Sequence, residues 1–281
     1  MTGFGARLAA AVDRFGPLCA GIDPHPGLIA EWGLTDDADG LSRFCAAAVE
    51  ALAGHVAVVK PQAAFFERHG SRGIAVLERT LADLAGRGTL SLLDVKRGDI
   101  GSTMDGYADA YLGVGAAVAA DAITVSPYLG FGSLEPAFRA AEEAGRGVFV
   151  LARTSNPEGG SVQLAREPAA ADGRTVAQAM VDGAAGRNTG ASPLGDVGVV
   201  VGATHDHGLE LGALNGAVLA PGLGAQGATP RDVAERFAGL SGLVLPAASR
   251  SILRAGPGVA ALRAAAEAQR DELAAALTAL R

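Results

Sequence analysis

The stretch Leu92-Leu-Asp-Val-Lys-Arg-Gly-Asp-Ile-Gly-Ser-Thr103 changes character midway. Its first half continues an apolar run that begins at Thr89 and reads as a buried strand. Its second half carries charges, a glycine pair and hydroxyls, and it leads into a segment of helical period that starts at Ser102. Asp94 and Lys96 stand two apart on the strand, so both side chains leave the same face, and Leu92 leaves it with them. If Leu92 faces a core, the charged pair faces it too. Burial of that kind is costly unless the charges compensate one another. Asp99 follows in the loop, and Ser102 or Thr103 is placed to cap the next helix.

The same alternation repeats on both sides of this stretch. Apolar runs rich in Val, Ile and Leu predict strands at Leu18–Asp23, His55–Lys60, Thr89–Val95, Ala122–Val125, Gly147–Ala152, Asp196–Val201, Gly216–Ala220 and Gly242–Pro246. Ala-rich segments between them predict helices at Leu41–Ala53, Arg72–Gly86, Ser102–Val114, Ser133–Ala144, Pro230–Phe237 and Val259–Leu280. Continuously apolar strands separated by helices imply a parallel sheet covered on its faces. Eight such units predict an α/β fold closed as a (β/α)8 TIM barrel, with an open doubly wound sheet as the competing architecture. No break in composition divides residues 1–281, so one domain is expected. The exception to regularity is Glu158–Gly195, too long for an ordinary connection. It reads as an insertion around one barrel helix, with Val176, Met180 and Ala184 spaced for a short helix inside it.

Composition narrows the function. A chain of 281 residues with 49% hydrophobic content suits a single barrel. The formal charge of −7 argues against nucleic acid or an anionic membrane as partner, and leaves anionic small molecules open. The N-terminal MTGFGARLAAAVDRFGP reads as an amphipathic helix rather than a signal peptide. No apolar run is long enough to span a membrane. The two cysteines, Cys19 and Cys45, suggest buried apolar thiols in a reducing cytoplasm rather than a disulfide framework.

Of the 23 basic residues, only Lys60 and Lys96 are lysine. A lysine can give up a proton near neutral pH and an arginine hardly can, so these two are candidates for chemistry that arginine cannot perform. They close the second and third candidate strands, and barrel enzymes place their chemistry at the C-terminal strand ends. A structural ion pair at the barrel mouth is the plainer explanation of Asp94 and Lys96, but Lys60 brings a third charge to the same rim.

Asp94-x-Lys96-x-x-Asp99-Ile100 with Thr103, and Lys60 at the end of strand two, resemble the signature of the orotidine 5′-phosphate decarboxylase family. The likeness extends from Leu18 to Arg254. The stretches Val59-Lys-Pro-Gln-Ala-Ala-Phe-Phe, Ser126-Pro-Tyr and Thr154-Ser-Asn-Pro resemble its longer bacterial subgroup. More familiar members carry a Lys-Ile-Gly type sequence after strand two, so the contacts downstream of Lys60 differ here. The resemblance implies decarboxylation of orotidine 5′-phosphate to UMP without cofactor or metal. Lys96 would stabilise and protonate the C6 carbanion, with Asp94 and Asp99 keeping the lysines cationic. Lys60 would touch the ribose and hold Asp94. In the family the residue matching Asp99 comes from the other subunit, which implies a homodimer with shared sites, and Thr103 would likewise reach the neighbouring ribose.

The same resemblance assigns substrate contacts. Asp23 matches the aspartate that binds a ribose hydroxyl, though a turn or cap would also explain it. Ser155 matches the serine that reads the pyrimidine edge, though it also precedes an Asn-Pro turn. Gly222, Gly224 and Gly227 satisfy G-x-G-x-x-G, but late in the chain and without the acidic residue that a dinucleotide fold requires. A phosphate loop with Gln226 as donor is the better reading. Arg250 matches the phosphate-binding arginine after strand eight, where a guanidinium can grip phosphate in bidentate fashion. His205 and His207 have no evident third ligand, so no metal is expected there. Related barrel enzymes that act through Mg2+ and enediolates share Asp-x-Lys-x-x-Asp but carry an acid where Lys60 stands, and a lysine there would repel the cation. A non-catalytic phosphoribosyl sensor would be expected to lack one of the charged residues, and none is missing.

Overall fold

The computed structural model describes residues 2–167, 173–224 and 227–279. Eight parallel strands close into a barrel in sequence order. They are β1 (Cys19–Ile22), β2 (Val58–Pro61), β3 (Leu90–Arg97), β4 (Ala122–Val125), β5 (Gly147–Arg153), β6 (Val197–Val201), β7 (Ala217–Pro221) and β8 (Leu243–Ala248). Closure comes from β1 against β8, where Cys19 pairs with Ala247 and Ala20 with Ala248. That pairing rules out the open doubly wound sheet. All eight expected strands are present, and β3 runs two residues further than its apolar pattern, through Lys96 to Arg97.

The helices are α1 (Phe4–Phe15), α2 (Pro26–Glu31), α3 (Ala38–Leu52), α4 (Ala64–Glu67), α5 (Gly70–Gly86), α6 (Gly101–Leu112), α7 (Glu135–Ala144), α8 (Gly160–Gln163), α9 (Val176–Arg187), α10 (Pro230–Arg236), α11 (Arg250–Leu253) and α12 (Val259–Thr278). Short α2, α4 and α11 carry too few turns to leave a periodic signal. One expectation needs correction. Ser102 and Thr103 do not cap α6, because the helix already begins at Gly101, with Ile100 at the N-cap and no side-chain cap bond. Asp99 lies just upstream, and its Oδ1 accepts the Ile100 N–H at 2.8 Å. Among the described residues of 157–195 the chain forms a 3-10 turn (Pro157–Gly159), α8 and α9. Thr175 caps α9 by accepting the Gln178 N–H at 3.1 Å.

Two apolar layers result from the period-two alternation of the strands. Val59, Leu93, Ile123 and Val150 face outward into the packing between strands and helices. Val58, Leu92, Ala122 and Phe149 face inward and fill the barrel. The lower end is sealed by α1, whose Phe4 and Leu8 are buried among the inward residues. Phe4 meets Phe149 edge to face, with ring centroids 6.0 Å apart. This fit needs a glycine at 147, since a Cβ there would lie 2.3 Å from the Phe4 ring. Full burial of each such side chain contributes about 1.5–3 kcal/mol. With its floor filled, the barrel opens at the C-terminal ends of the strands. Among the described residues, no helix is long and apolar enough to cross a membrane.

Candidate active site

A cavity of about 310 Å³ opens at that end. The inward-facing positions of β3 explain its chemistry. Leu90 and Leu92 pack in the barrel interior, and the next inward residues, Asp94 and Lys96, reach the cavity. On β2 the inward residue that reaches Asp94 is Lys60. Lys60 and Asp94 are both nearly inaccessible, at 6% and 9% exposed. Lys60 Nζ donates to Asp94 Oδ2 at 3.0 Å, and Lys96 Nζ donates to Asp94 Oδ1 at 2.5 Å. The carboxylate therefore lies between two ammonium groups, and the row alternates cation, anion, cation.

The row holds its charges. Burial favours the neutral form of Asp94, but Lys60 and then Lys96 outweigh it and keep the carboxyl well below the usual carboxylate range. Burial likewise opposes the Lys60 ammonium, and Asp94 followed by Asp23 holds its pKa above the ordinary lysine value. The stabilisation from Asp94 is thus present above the ordinary carboxylate range and is lost only as pH falls through its depressed folded pKa. That from Lys60 is present below the ordinary lysine pKa and is lost only as pH rises through its raised folded pKa. Near neutrality both groups stay ionised.

Thr124 completes the row, and the sequence reading did not single it out. It is the inward polar residue of Ala122-Ile-Thr-Val125 and is 1% exposed. Its hydroxyl donates to Asp94 Oδ1 at 2.9 Å and accepts the Lys96 N–H at 3.0 Å. Lys96 needs such support, because its backbone φ is +47°, a region L residues with a Cβ rarely occupy. Strain of this kind costs about 1–3 kcal/mol and gathers at functional sites. The β3–β4 ladder shifts register at the same place, between Leu93 and Arg97. A polar side chain at an inward position of an otherwise apolar strand was the available signal for Thr124.

Six of the nine expected site residues line this one cavity: Asp23, Lys60, Asp94, Lys96, Ser155 and Arg250. Asp23 Oδ1 and Ser249 Oγ are buried there without a hydrogen-bond partner among the described residues. Arg250 opens α11 directly after β8, and Gly222 and Gly224 on the β7 side have φ of 118° and 69°. Two residues lie outside the chain's own cavity. Asp99 is half-buried in the β3–α6 loop, and Thr103 is exposed on the first turn of α6 beside Ile100, which is 61% exposed. Gln226 falls outside the described residues. His207 has structural partners: its Nε2 bonds the Arg236 carbonyl at 2.9 Å, its Nδ1 accepts the Leu209 N–H at 3.0 Å, and its ring stacks on Phe237. Both cysteines are buried, and burial pushes each thiol up to about 12.

Residues 16–265 match the model of the Orotidine 5′-phosphate decarboxylase / HUMPS family. The chain is 60% identical over 279 residues to the orotidine 5′-phosphate decarboxylase of Salinispora arenicola, covering 99% of each. It is 54% identical over 281 residues to that of Streptomyces coelicolor, covering 99% of this chain and all of the relative. Among solved structures, a provisionally named orotidine 5′-phosphate decarboxylase from Streptomyces avermitilis superimposes with a TM-score of 0.92 at 53% identity, covering 99% of this chain and 97% of that one. A barrel with a cation–anion–cation row at its mouth, Lys60 and Asp94 buried and Lys96 open to the cavity, defines the class, and the chain belongs to the orotidine 5′-phosphate decarboxylase/HUMPS family.

Proposed function

We infer that this protein decarboxylates orotidine 5′-phosphate to UMP, the last step of de novo pyrimidine nucleotide synthesis. The observation that carries the reading is the Lys60–Asp94–Lys96 row. The family also includes barrels that work through a divalent cation, and an ammonium at the end of β2 would oppose one at that point. When the C6–carboxylate bond breaks, CO2 departs and the electron pair stays at C6. Lys96 stabilises that charge and delivers a proton to C6, and the lysine is reprotonated from solvent. Asp94 faces the carboxylate that must leave, so its negative charge disfavours the bound substrate more than the transition state.

The remaining roles follow from the resemblance and from position. Asp23 accepts a hydrogen bond from a ribose hydroxyl, Ser155 reads the pyrimidine edge, and Arg250 with Gln226 holds the phosphate. Asp99 and Thr103 serve the site of a second subunit. Their place outside the chain's own cavity, Asp99 in the β3–α6 loop and Thr103 on the first turn of α6 beside exposed Ile100, supports a homodimer with shared sites. Mixing inactive Lys96→Ala and Asp99→Ala chains under exchange conditions then restores about half the native activity per heterodimer, if the two sites act independently. Heterodimers without activity would refute sharing. The two buried thiols and the net charge of −7 support a cytoplasmic enzyme without nucleic-acid partners.

The deciding assay follows the loss of orotidylate absorbance by purified protein in excess chelator. Full turnover is expected. Activity that vanished with chelator and returned with Mg2+ would favour the enediolate-forming barrels instead.

A further inference from the structure

Arg97 stands next to the proton donor, yet it does not line the cavity and has no part in the chemistry derived so far. Its side chain leaves β3 on the outward side, among the helices. Nη2 donates to Glu67 Oε1 at the end of α4. The guanidinium carbon lies 5.7 and 5.9 Å from the ring centroids of Tyr107 and Tyr111, one turn apart on α6. Nη1 turns back along the strand and donates to the Val95 carbonyl at 3.2 Å.

The ladder explains why that carbonyl needs a side chain. Leu93 pairs with Ile123, so an unshifted β3–β4 ladder would set Val95 opposite Val125 and bring the Ser126 N–H to the Val95 carbonyl. Instead Arg97 takes the place opposite Val125, and the Ser126 N–H donates to the Arg97 carbonyl at 2.7 Å. The shift accommodates Lys96 at its positive φ and takes this ladder donor away from Val95, which is 5% exposed. A buried backbone carbonyl requires some other partner, and Arg97 supplies it.

The Val95 carbonyl and the Lys96 N–H belong to one peptide unit. Thr124 Oγ1 accepts from its N–H at 3.0 Å, and Arg97 donates to its oxygen on the opposite edge. A peptide unit is planar, so bonds at both edges fix the plane from which Lys96 projects. The inner grip comes from β4, and the outer grip is anchored on two helices. Arginine suits the outer place because its fork presents separate N–H groups to the carbonyl and to the carboxylate.

We propose that Arg97 is a positioning residue: by holding the Val95 carbonyl it fixes, together with Thr124, the peptide that carries Lys96, and so aims the ammonium at the reacting carbon. The proposal rests on the orotidylate reading for the reaction, whereas the restraint on Lys96 does not depend on it. An arginine that merely joined α4 to α6 would add stability and leave Lys96 where it is.

The scarcity of lysine supplies a readout independent of turnover. In protein labelled with [15N]lysine, the backbone amide spectrum holds signals from Lys60 and Lys96 alone, and Lys96→Arg assigns them. Arg97→Met, Arg97→Lys and Glu67→Gln are compared with the native enzyme in that spectrum, in kcat and KM on orotidylate, and in UMP affinity by calorimetry, at temperatures where each is folded. Arg97→Met should shift or broaden the Lys96 amide and leave that of Lys60 in place. Its kcat should fall at least about 10-fold with UMP affinity held within about 2-fold, as a small displacement of a reacting group would produce. Arg97→Lys can still bond the carbonyl through its ammonium and should recover part of that loss. Glu67→Gln keeps the arginine but loosens its anchor, and should cost about 2- to 3-fold in kcat, the scale of one partly exposed ion pair. Native kcat in Arg97→Met would overturn the proposal, and so would equal losses in kcat and UMP affinity, which would mean a loosening of the whole site. If Arg97→Met does not fold, the other two variants decide, and native kcat with an unmoved Lys96 amide in both would overturn it. If the native protein fails to decarboxylate orotidylate while the Lys96 amide responds as stated, the reaction is misassigned and the restraint stands.

Discussion

Above β2, β3 and β4 the side chains aimed into the barrel already hold one another. Lys60, Asp94, Lys96 and Thr124 form a closed set of hydrogen bonds in the free chain. Above β7 and β8 the opposite holds. Arg250 makes no side-chain hydrogen bond or ion pair among the described residues, Ser249 Oγ is buried without a partner among them, and the chain after β7 turns through Gly222 and Gly224 at positive φ. The difference matches what each region has to do. Charges that stabilise a transition state are effective only if they need not reorganise as the reaction proceeds, so they are fixed by the fold. Groups that grip a distant phosphate gain their energy on contact, and that energy can then be used at the reacting carbon.

The comparison predicts that the assembled half tolerates no change of shape, even at constant charge. Lys96→Arg keeps a cation, but the guanidinium is a very weak acid and its planar fork cannot occupy the point 2.5 Å from Asp94 Oδ1. A fall in kcat of at least about 1,000-fold is expected, since proton delivery and carbanion stabilisation are lost together. UMP affinity should change far less. Near-native kcat in this variant would remove Lys96 as the proton donor.

The open half should respond to the substrate rather than to the chemistry. Arg250→Ala should lower kcat/KM on orotidylate by about 100-fold, a charge-assisted bidentate contact being worth about 2–3 kcal/mol. On orotidine, which has no phosphate, the loss should stay within about 3-fold. Part of the loss on orotidylate should fall on kcat, if phosphate contact does assist at C6. Equal losses on the two substrates would assign Arg250 to something other than phosphate and would erase the contrast between the two halves.

The legibility of the sequence divides along a related line. The barrel could be read because its strands are continuous apolar runs and its long helices are periodic, and both signals are local. The charged row was legible at Asp94 and Lys96 because a spacing of two on a strand fixes a shared face. Lys60 was found because lysine is so rare in this chain. Thr124 was not found: a lone hydroxyl acquires meaning only when register places it next to another strand's side chain. The start of α6 was misjudged for a different reason. The helix starts at Gly101 with Ile100 at its N-cap and no side-chain cap, so the hydroxyls that look like caps already lie inside it.

Thr124 allows a finer test of how rigid the assembled half has to be. Thr124→Val keeps nearly the same shape in a site that is 1% exposed, but removes the hydroxyl from both of its partners. The Lys96 N–H then loses its acceptor, at a residue whose φ is already +47°. Asp94 loses one donor and keeps both ammonium groups. The expected cost is about 1–3 kcal/mol of stability, read as a lower Tm of about 2–4 °C per kcal/mol for a chain of this size. A purely structural role would end there, with kcat unchanged at temperatures where the variant is folded. If Thr124 positions Lys96, kcat should also fall by about 10-fold, the effect of a small displacement of the proton donor. KM and UMP affinity should hold within about 2-fold, and Thr124→Ser should recover most of kcat by restoring the hydroxyl. A valine variant with native kcat would mean that Lys60 and Asp94 alone suffice to aim the lysine.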